Sequence, residues 1–183
     1  TNGISEIITV KDSKRRLSLC SFEDSEEDVE ETLLVLSDQS LLLDDLHLEK
    51  LAVHLPARTQ GYPWKLAYSI ATHGSSLKTL YRNMAGLDSP VLLVIRDMHK
   101  RFAPFRISRG CYGTGETFLF SFNPDFQLYK WSGENSYFGC FGLWLDADLY
   151  HGSSFSCPTF HNAPLSTHKD FLVQELEVWT VQN

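Results

Sequence analysis

The chain has 183 residues, 43% of them hydrophobic and 13% aromatic, enough for one globular domain with a sizeable core and too few for two. Sixteen Lys and Arg against 23 Asp and Glu give a formal charge of -7, which offers no broad attraction to phosphate backbones or anionic lipid and argues against a nucleic-acid or membrane-surface binder. No apolar run approaches the roughly 20 residues that span a bilayer, and the first residues show neither a secretory nor a transit pattern. Starting at Thr1, the sequence reads as a processed or excised piece of something longer.

The charge is unevenly placed. Residues 1–45 hold 12 acidic and four basic residues, a net of -8, whereas the remainder holds 11 and 12, a net of +1. The acidity therefore belongs to a leader over 1–45, and the folded domain is expected over 46–183. Within the leader, Ser21–Glu31 reads SFEDSEEDVEE, a like-charge block with little to bury, as a solvated linker has. Just ahead of it, KDSKRRLSLC sets Arg15 and Arg16 upstream of Ser18, which makes Ser13 and Ser18 candidate kinase targets.

From Leu46 the periodicity is legible. Leu48, Leu51, Ala52 and Leu55 recur at the spacing of an amphipathic helix that Pro56 ends. GYPWKLAYSI, residues 61–70, puts Trp64, Leu66 and Tyr68 on one face of a predicted strand and Lys65 and Ala67 on the other. His73 and Gly74 break the chain, and Ser75 or Ser76 caps a second helix whose stripe is Leu77, Leu80, Tyr81 and Met84, with Lys78 and Arg82 facing water. VLLVI after Pro90 reads as a strand buried on both faces or central in a sheet. TFLFSF, 117–122, sets Phe118, Phe120 and Phe122 on one face, and QLYKW, 127–131, follows across a turn at Asn123-Pro124-Asp125. FGLWLDADLYHG supplies a strand pair with its turn at Asp146 to Asp148, and FLVQELEVWTV, 171–181, closes the chain as a long strand. Two helices among six or more strands, without a βαβ rhythm, give an α+β, mainly β class: an antiparallel sandwich flanked by two helices.

Chemistry-bearing residues are sparse. Cys20, Cys111, Cys140 and Cys157 lie far apart, without CxxC or Cys-His spacing, and the seven histidines form no HExxH or HxH pair, so no metal and no cofactor is expected. GCYGTGETF does not follow GxGxxG and lacks GK[ST]. Its Gly113 and Gly115 read as tight backbone entering the strand at Thr117, with Glu116 at the edge. Asp146 and Asp148, with Glu116, are the carboxylates that acid-base work or Mg²⁺ would need, although turn aspartates are far commoner than catalytic pairs. No GxSxG elbow frames the serines of HGSSFSC, which disfavours a serine hydrolase. Cys157, in SSFSCPTF, has no neighbouring Lys or Arg to depress its pKa and reads as an inert, half-buried thiol.

Taken in order, LPARTQGYPWKLAYSIATHGSSLKTLYRNM, SPVLLVIRD, YGTGETFLFSF, YKWSGENSYF, FGLWLDADLYHG, SCPTF and DFLVQELEVW resemble the TLDc domain of the oxidation resistance protein family, over Leu46–Gln182, with YGTGETF and FGLWLDADLYHG the most specific blocks. The pattern is most similar to the vertebrate oxidation resistance and nuclear receptor coactivator-like branch. The resemblance implies a two-sheet β-sandwich with two helices. It implies a non-enzymatic cytosolic module that protects against oxidative stress by binding and regulating the V-type proton-pumping ATPase, with Gly113, Gly115, Glu116, Asp146 and Asp148 as the partner-binding patch. The alternative is a direct thiol antioxidant, or an undiscovered enzyme acting on peroxide, with Cys157 or Cys111 as the thiol. The location expected is cytoplasmic, reaching endomembranes only through a partner, and the residues do not argue against nuclear or mitochondrial pools. Two family loops are short here. MHKRFA follows Asp97 and only Gly139 and Cys140 bridge Phe138 to FGLWLD. Either both loops are truly shorter or segments are missing from this sequence, and the second is favoured for the first loop because losing a sheet strand would expose neighbouring edges.

Overall fold

Phe118, Phe120 and Phe122 stand two residues apart, so a strand through them turns all three rings to one side. The computed structural model, which describes residues 34–98, 102–105, 117–122, 124–132 and 142–181, puts all three in one apolar cluster with Trp64, Leu92, Val94 and Trp179, while Leu119 points the other way onto Leu165. The elements in chain order are α1 (Asp45–Ala52), β1 (Trp64–Ser69), α2 (Ile70–His73), α3 (Leu77–Met84), β2 (Val91–Asp97), β3 (Phe102–Phe105), β4 (Phe118–Phe122), β5 (Phe126–Lys130), β6 (Trp144–Leu145), β7 (His151–Ser153) and β8 (Asp170–Val181). All strand pairings are antiparallel, in the order β5-β4-β3-β2-β8-β7-β6, with β1 also on β8. The result is the expected mainly β class: two antiparallel sheets with few helices.

β8 belongs to both sheets. Its first residues pair with β7, Leu172 opposite His151, and its later ones run between β2 and β1. The continuous apolar run of β2 is explained by this central place. Leu92 and Val94 face the first cluster, whereas Val91, Leu93 and Ile95 face a second one with Tyr68, Leu80, Phe171, Leu176 and Val178. Leu80 is fully buried there, a contribution of about 1.5–3 kcal/mol. Tyr81, assigned to the same helical stripe, is instead exposed.

Three further local features depart from the sequence expectations. Trp64, Leu66 and Tyr68 do not share a face, because a bulge between Leu66 and Tyr68 opposes them to Trp179 and Val178 and sends Tyr68 into the second cluster. Ile70 starts a short helix, α2, whose N-cap Ser69 accepts the Thr72 amide at 3.1 Å and whose end is Gly74 at φ 77. α1 stops at Ala52 rather than running to Pro56, since the amides of His54 and Leu55 fold back to the carbonyls of Leu51 and Ala52, three residues before each. β3, which follows the short connection after Asp97, pairs with both β2 and β4.

Residues ahead of Leu46 also pack here. Leu42 and Leu43 are buried in the first cluster, and Leu36 bridges to Trp64. The anchor is Glu177, 1% exposed, whose carboxylate accepts from Ser40 Oγ at 2.6 Å, the Leu41 amide at 2.7 Å and Trp179 Nε1 at 3.1 Å. Three donors at once satisfy this buried carboxylate, with no cation on it among the described residues. Ser40 Oγ in turn accepts the amides of Leu42 and Leu43, so residues 40–43 form a strap across the sheet that leads into α1.

Candidate functional site

Asp146, at the end of β6, organises the turn to β7. Its amide donates to the His151 carbonyl at 3.0 Å, its carbonyl accepts the Leu149 amide at 3.2 Å, and its carboxylate accepts the Tyr150 amide at 2.8 Å and meets His151 Nδ1 at 3.1 Å. Burial works to raise this carboxyl, but the Tyr150 and His151 amides and the His151 ring outweigh it and hold it below the usual carboxylate value. These bonds stabilise a strained link: Leu149 has φ 51, a left-handed conformation costing about 1–2 kcal/mol in a residue with a side chain. The conformation turns Leu149 inward, 1% exposed, into the second cluster and leaves Tyr150 outside.

The other wall comes from about 70 residues earlier in the chain. The Leu77 amide donates to the Ala147 carbonyl at 2.9 Å, and the Ser75 hydroxyl donates to the Asp148 carbonyl. This α2–α3 corner is built on Tyr68, whose hydroxyl donates to the Gly74 carbonyl and accepts the Ser76 amide at 3.3 Å. Burial, reinforced by Glu175 and opposed by the Ser76 amide, raises the Tyr68 hydroxyl, which keeps it protonated and able to do both. His73 stacks on the same ring at 5.4 Å and accepts the Ser69 amide at Nδ1, 3.1 Å, so its ring is a fixed brace.

Along this hairpin, aromatic and polar side chains reach solvent. Trp144 is 44% exposed and Tyr150 53%, and the Asp148 side chain is exposed beside them in sequence. On the outer side of the small sheet, Trp144 stands opposite Ser153, whose hydroxyl donates to Asp170 Oδ1 at 2.6 Å, and His151 stands opposite Leu172. Large aromatics beside charged groups are the make-up of a protein contact surface.

The two aspartates therefore differ in role. Asp146 uses its carboxylate to build the turn, whereas Asp148 is held by its backbone and offers its carboxylate outward. Gly113, Gly115 and Glu116 lie outside the described residues, as do Cys20, Cys111, Cys140, Ser13 and Ser18. Among the described residues no group of three or more His, Cys, Asp or Glu is placed to hold a metal. Sequence reasoning found the turn but missed Ser75, Tyr68, Trp144 and Tyr150. The usable signal was Ser75-Ser76 after Gly74, read only as a helix cap.

Cys157 is buried, 4% exposed, deeper than its sequence context suggests. Its thiol donates to Asn162 Oδ1 at 3.1 Å, the same oxygen that accepts its amide at 3.1 Å, and Asn162 Nδ2 donates to the carbonyls of Phe155 and Ala163. A sulfur shielded from water and used as a donor is positioned as a structural group.

A family model described as the TLDc domain matches residues 36–182. Nuclear receptor coactivator 7 of Homo sapiens is 57% identical over 194 residues, covering 95% of this chain and 20% of that protein, and its Gallus gallus counterpart is 55% identical over 197 residues, covering 97% and 22%. Oxidation resistance protein 1 of Xenopus tropicalis is 53% identical over 167 residues, covering 80% of this chain and 19% of that protein. The chain thus spans about a fifth of the length of the curated relatives it matches. With the family model matched from Leu36 through β8 and the mainly β fold described above, the chain belongs to the TLDc domain family.

Proposed function

We propose that this chain is a non-enzymatic interaction module that supports resistance to oxidative stress by binding and regulating the V-type proton-pumping ATPase from its cytosolic side. The observation that carries the reading is the exposure of Trp144, Asp148 and Tyr150 along one β6–β7 hairpin, whose turn is fixed by hydrogen bonds of Asp146 and Ser75. A rigid aromatic surface loses little conformational entropy on binding. Relatives named for oxidation resistance support the stress role. The packing of Cys157 favours this reading over its use as a sacrificial thiol.

The test is binding of the purified chain to purified V-type ATPase, with Asp148→Lys and Tyr150→Ala as probes, since neither side chain is buried. A weakening of about tenfold or more, with an unchanged melting temperature, is the expected result for a contact residue. Equal affinity of wild type and both variants would remove this face from the account.

A further inference from the structure

α1 is docked on the β4–β5 hairpin partly through two imidazoles. The His47 ring meets Phe122 edge-on with centroids 4.3 Å apart, and the His54 ring, in the turn that closes α1, stacks on Phe126 at 5.5 Å and 19°. His47 also completes the helix cap: its amide donates to Asp44 Oδ1 at 2.9 Å, and its Nδ1 accepts the Asp44 amide at 3.2 Å. That second bond exists only while Nδ1 carries no proton. Among the described residues, the charged groups facing these rings include Asp44 and Lys50 around His47, and Lys130 from β5 at His54; β4 contributes the uncharged Phe122.

We propose that His47 and His54 form an acid-sensitive latch, holding α1 on the β4–β5 hairpin at neutral pH and releasing it on protonation. Protonating His54 places a cation on an apolar contact with Lys130 as its charged neighbour. Protonating His47 removes the acceptor of the Asp44 amide and places a second cation near Lys50; a protonated Nδ1, 2.9 Å from Asp44 Oδ1, gains that carboxylate as an ion-pair partner, which offsets part of this. Burial lowers both rings, aided by Lys130 at His54, and at His47 by Lys50 against the opposing pull of Asp44. The sign follows. A folded-state pKa below the unfolded value of 6.5 means that the released form binds more protons, so docking is fully present above about pH 6.5 and weakens as pH falls below it. Glu177 holds Ser40 and Leu41 independently of these rings, so the response is confined to Asp44–Leu55.

Hydrogen exchange of the full chain at pH 7.5 and 5.5, corrected for the intrinsic pH dependence of exchange, tests the latch. Protection of the α1 amides is expected to fall several-fold at pH 5.5 while β2 and β8 keep theirs. The variant His47→Gln/His54→Phe, which keeps a capping acceptor and a stacking ring without a titrating group, is expected to hold α1 equally at both values. Equal α1 protection in the wild type at both pH values, or the same acid loss in the variant, overturns the proposal. Should the variant not fold, NMR titration of the wild-type imidazoles decides alone. Midpoints below those of the urea-unfolded chain support the latch, and midpoints at or above them refute it.

Discussion

Replacing Gly152 by alanine tests how tightly the strand pair carrying the candidate face is fitted to the core. Gly152 lies in β7 directly opposite Phe171 of β8, between the site residues His151 and Ser153. A methyl group there would sit 2.5 Å from both Cε2 and Cζ of Phe171 and 3.2 Å from Leu145 Cδ2. Carbon atoms in contact stand about 3.5–4.0 Å apart, so the ring must retreat by roughly 1 Å. Phe171 is 6% exposed among Leu149, Val173 and Leu176, where a shift of that size displaces neighbours in turn. Overpacking of this kind costs about 1–3 kcal/mol. At about 2–4 °C per kcal/mol for a domain of this size, the melting temperature should fall by roughly 4–8 °C for a 2 kcal/mol cost. The assay is a thermal and urea double-mutant cycle with Phe171→Leu. Shortening the ring should recover part of the loss, as a non-additive coupling of at least about 0.5 kcal/mol. A Gly152→Ala chain as stable as wild type, or strictly additive variants, would refute the packing argument.

The remaining predictions concern buried acceptors, the turn and the thiol. Glu177→Gln leaves one acceptor oxygen where three donors converge and should lower stability by about 2–4 kcal/mol, seen as a fall in the urea midpoint with an unchanged slope; an unchanged midpoint would contradict the anchoring of the strap. The Asp146 carboxyl is held below its ordinary value of 3.8, so it contributes stability above that pH that is lost as pH falls through the lower folded value; Asp146→Asn should flatten this acid limb of a melting-temperature profile, and an unaltered limb would count against the turn network. Cys157→Ser keeps a donor to Asn162 Oδ1, so it should fold and retain protection against peroxide; loss of protection by a folded variant would favour the thiol reading.

The alternation of Phe118, Phe120 and Phe122 and the unbroken run of β2 were legible because burial on one face or both writes directly into the order of residues. The turn at Asp146–Asp148 was legible for the same local reason. Tyr68 was placed on the wrong face because a one-residue bulge inverts every later side chain without any change in composition. The division of labour between Asp146 and Asp148 was not legible, since it depends on Ser75 and Leu77, brought to the turn by the fold. Likewise, nothing near Ser40 in sequence announces that Glu177, 137 positions away, would hold it and so draw residues counted with the acidic leader into the core.

The central claim is that this domain acts by binding through an exposed aromatic face. It is tested most directly by mixing the purified chain with purified V-type ATPase, measuring affinity for wild type, Asp148→Lys and Tyr150→Ala, and following peroxide consumption by the same preparations. Saturable binding that both substitutions weaken, with no peroxide turnover, is the outcome predicted. Thiol-dependent turnover without any binding would contradict it and make the cysteines the residues to pursue.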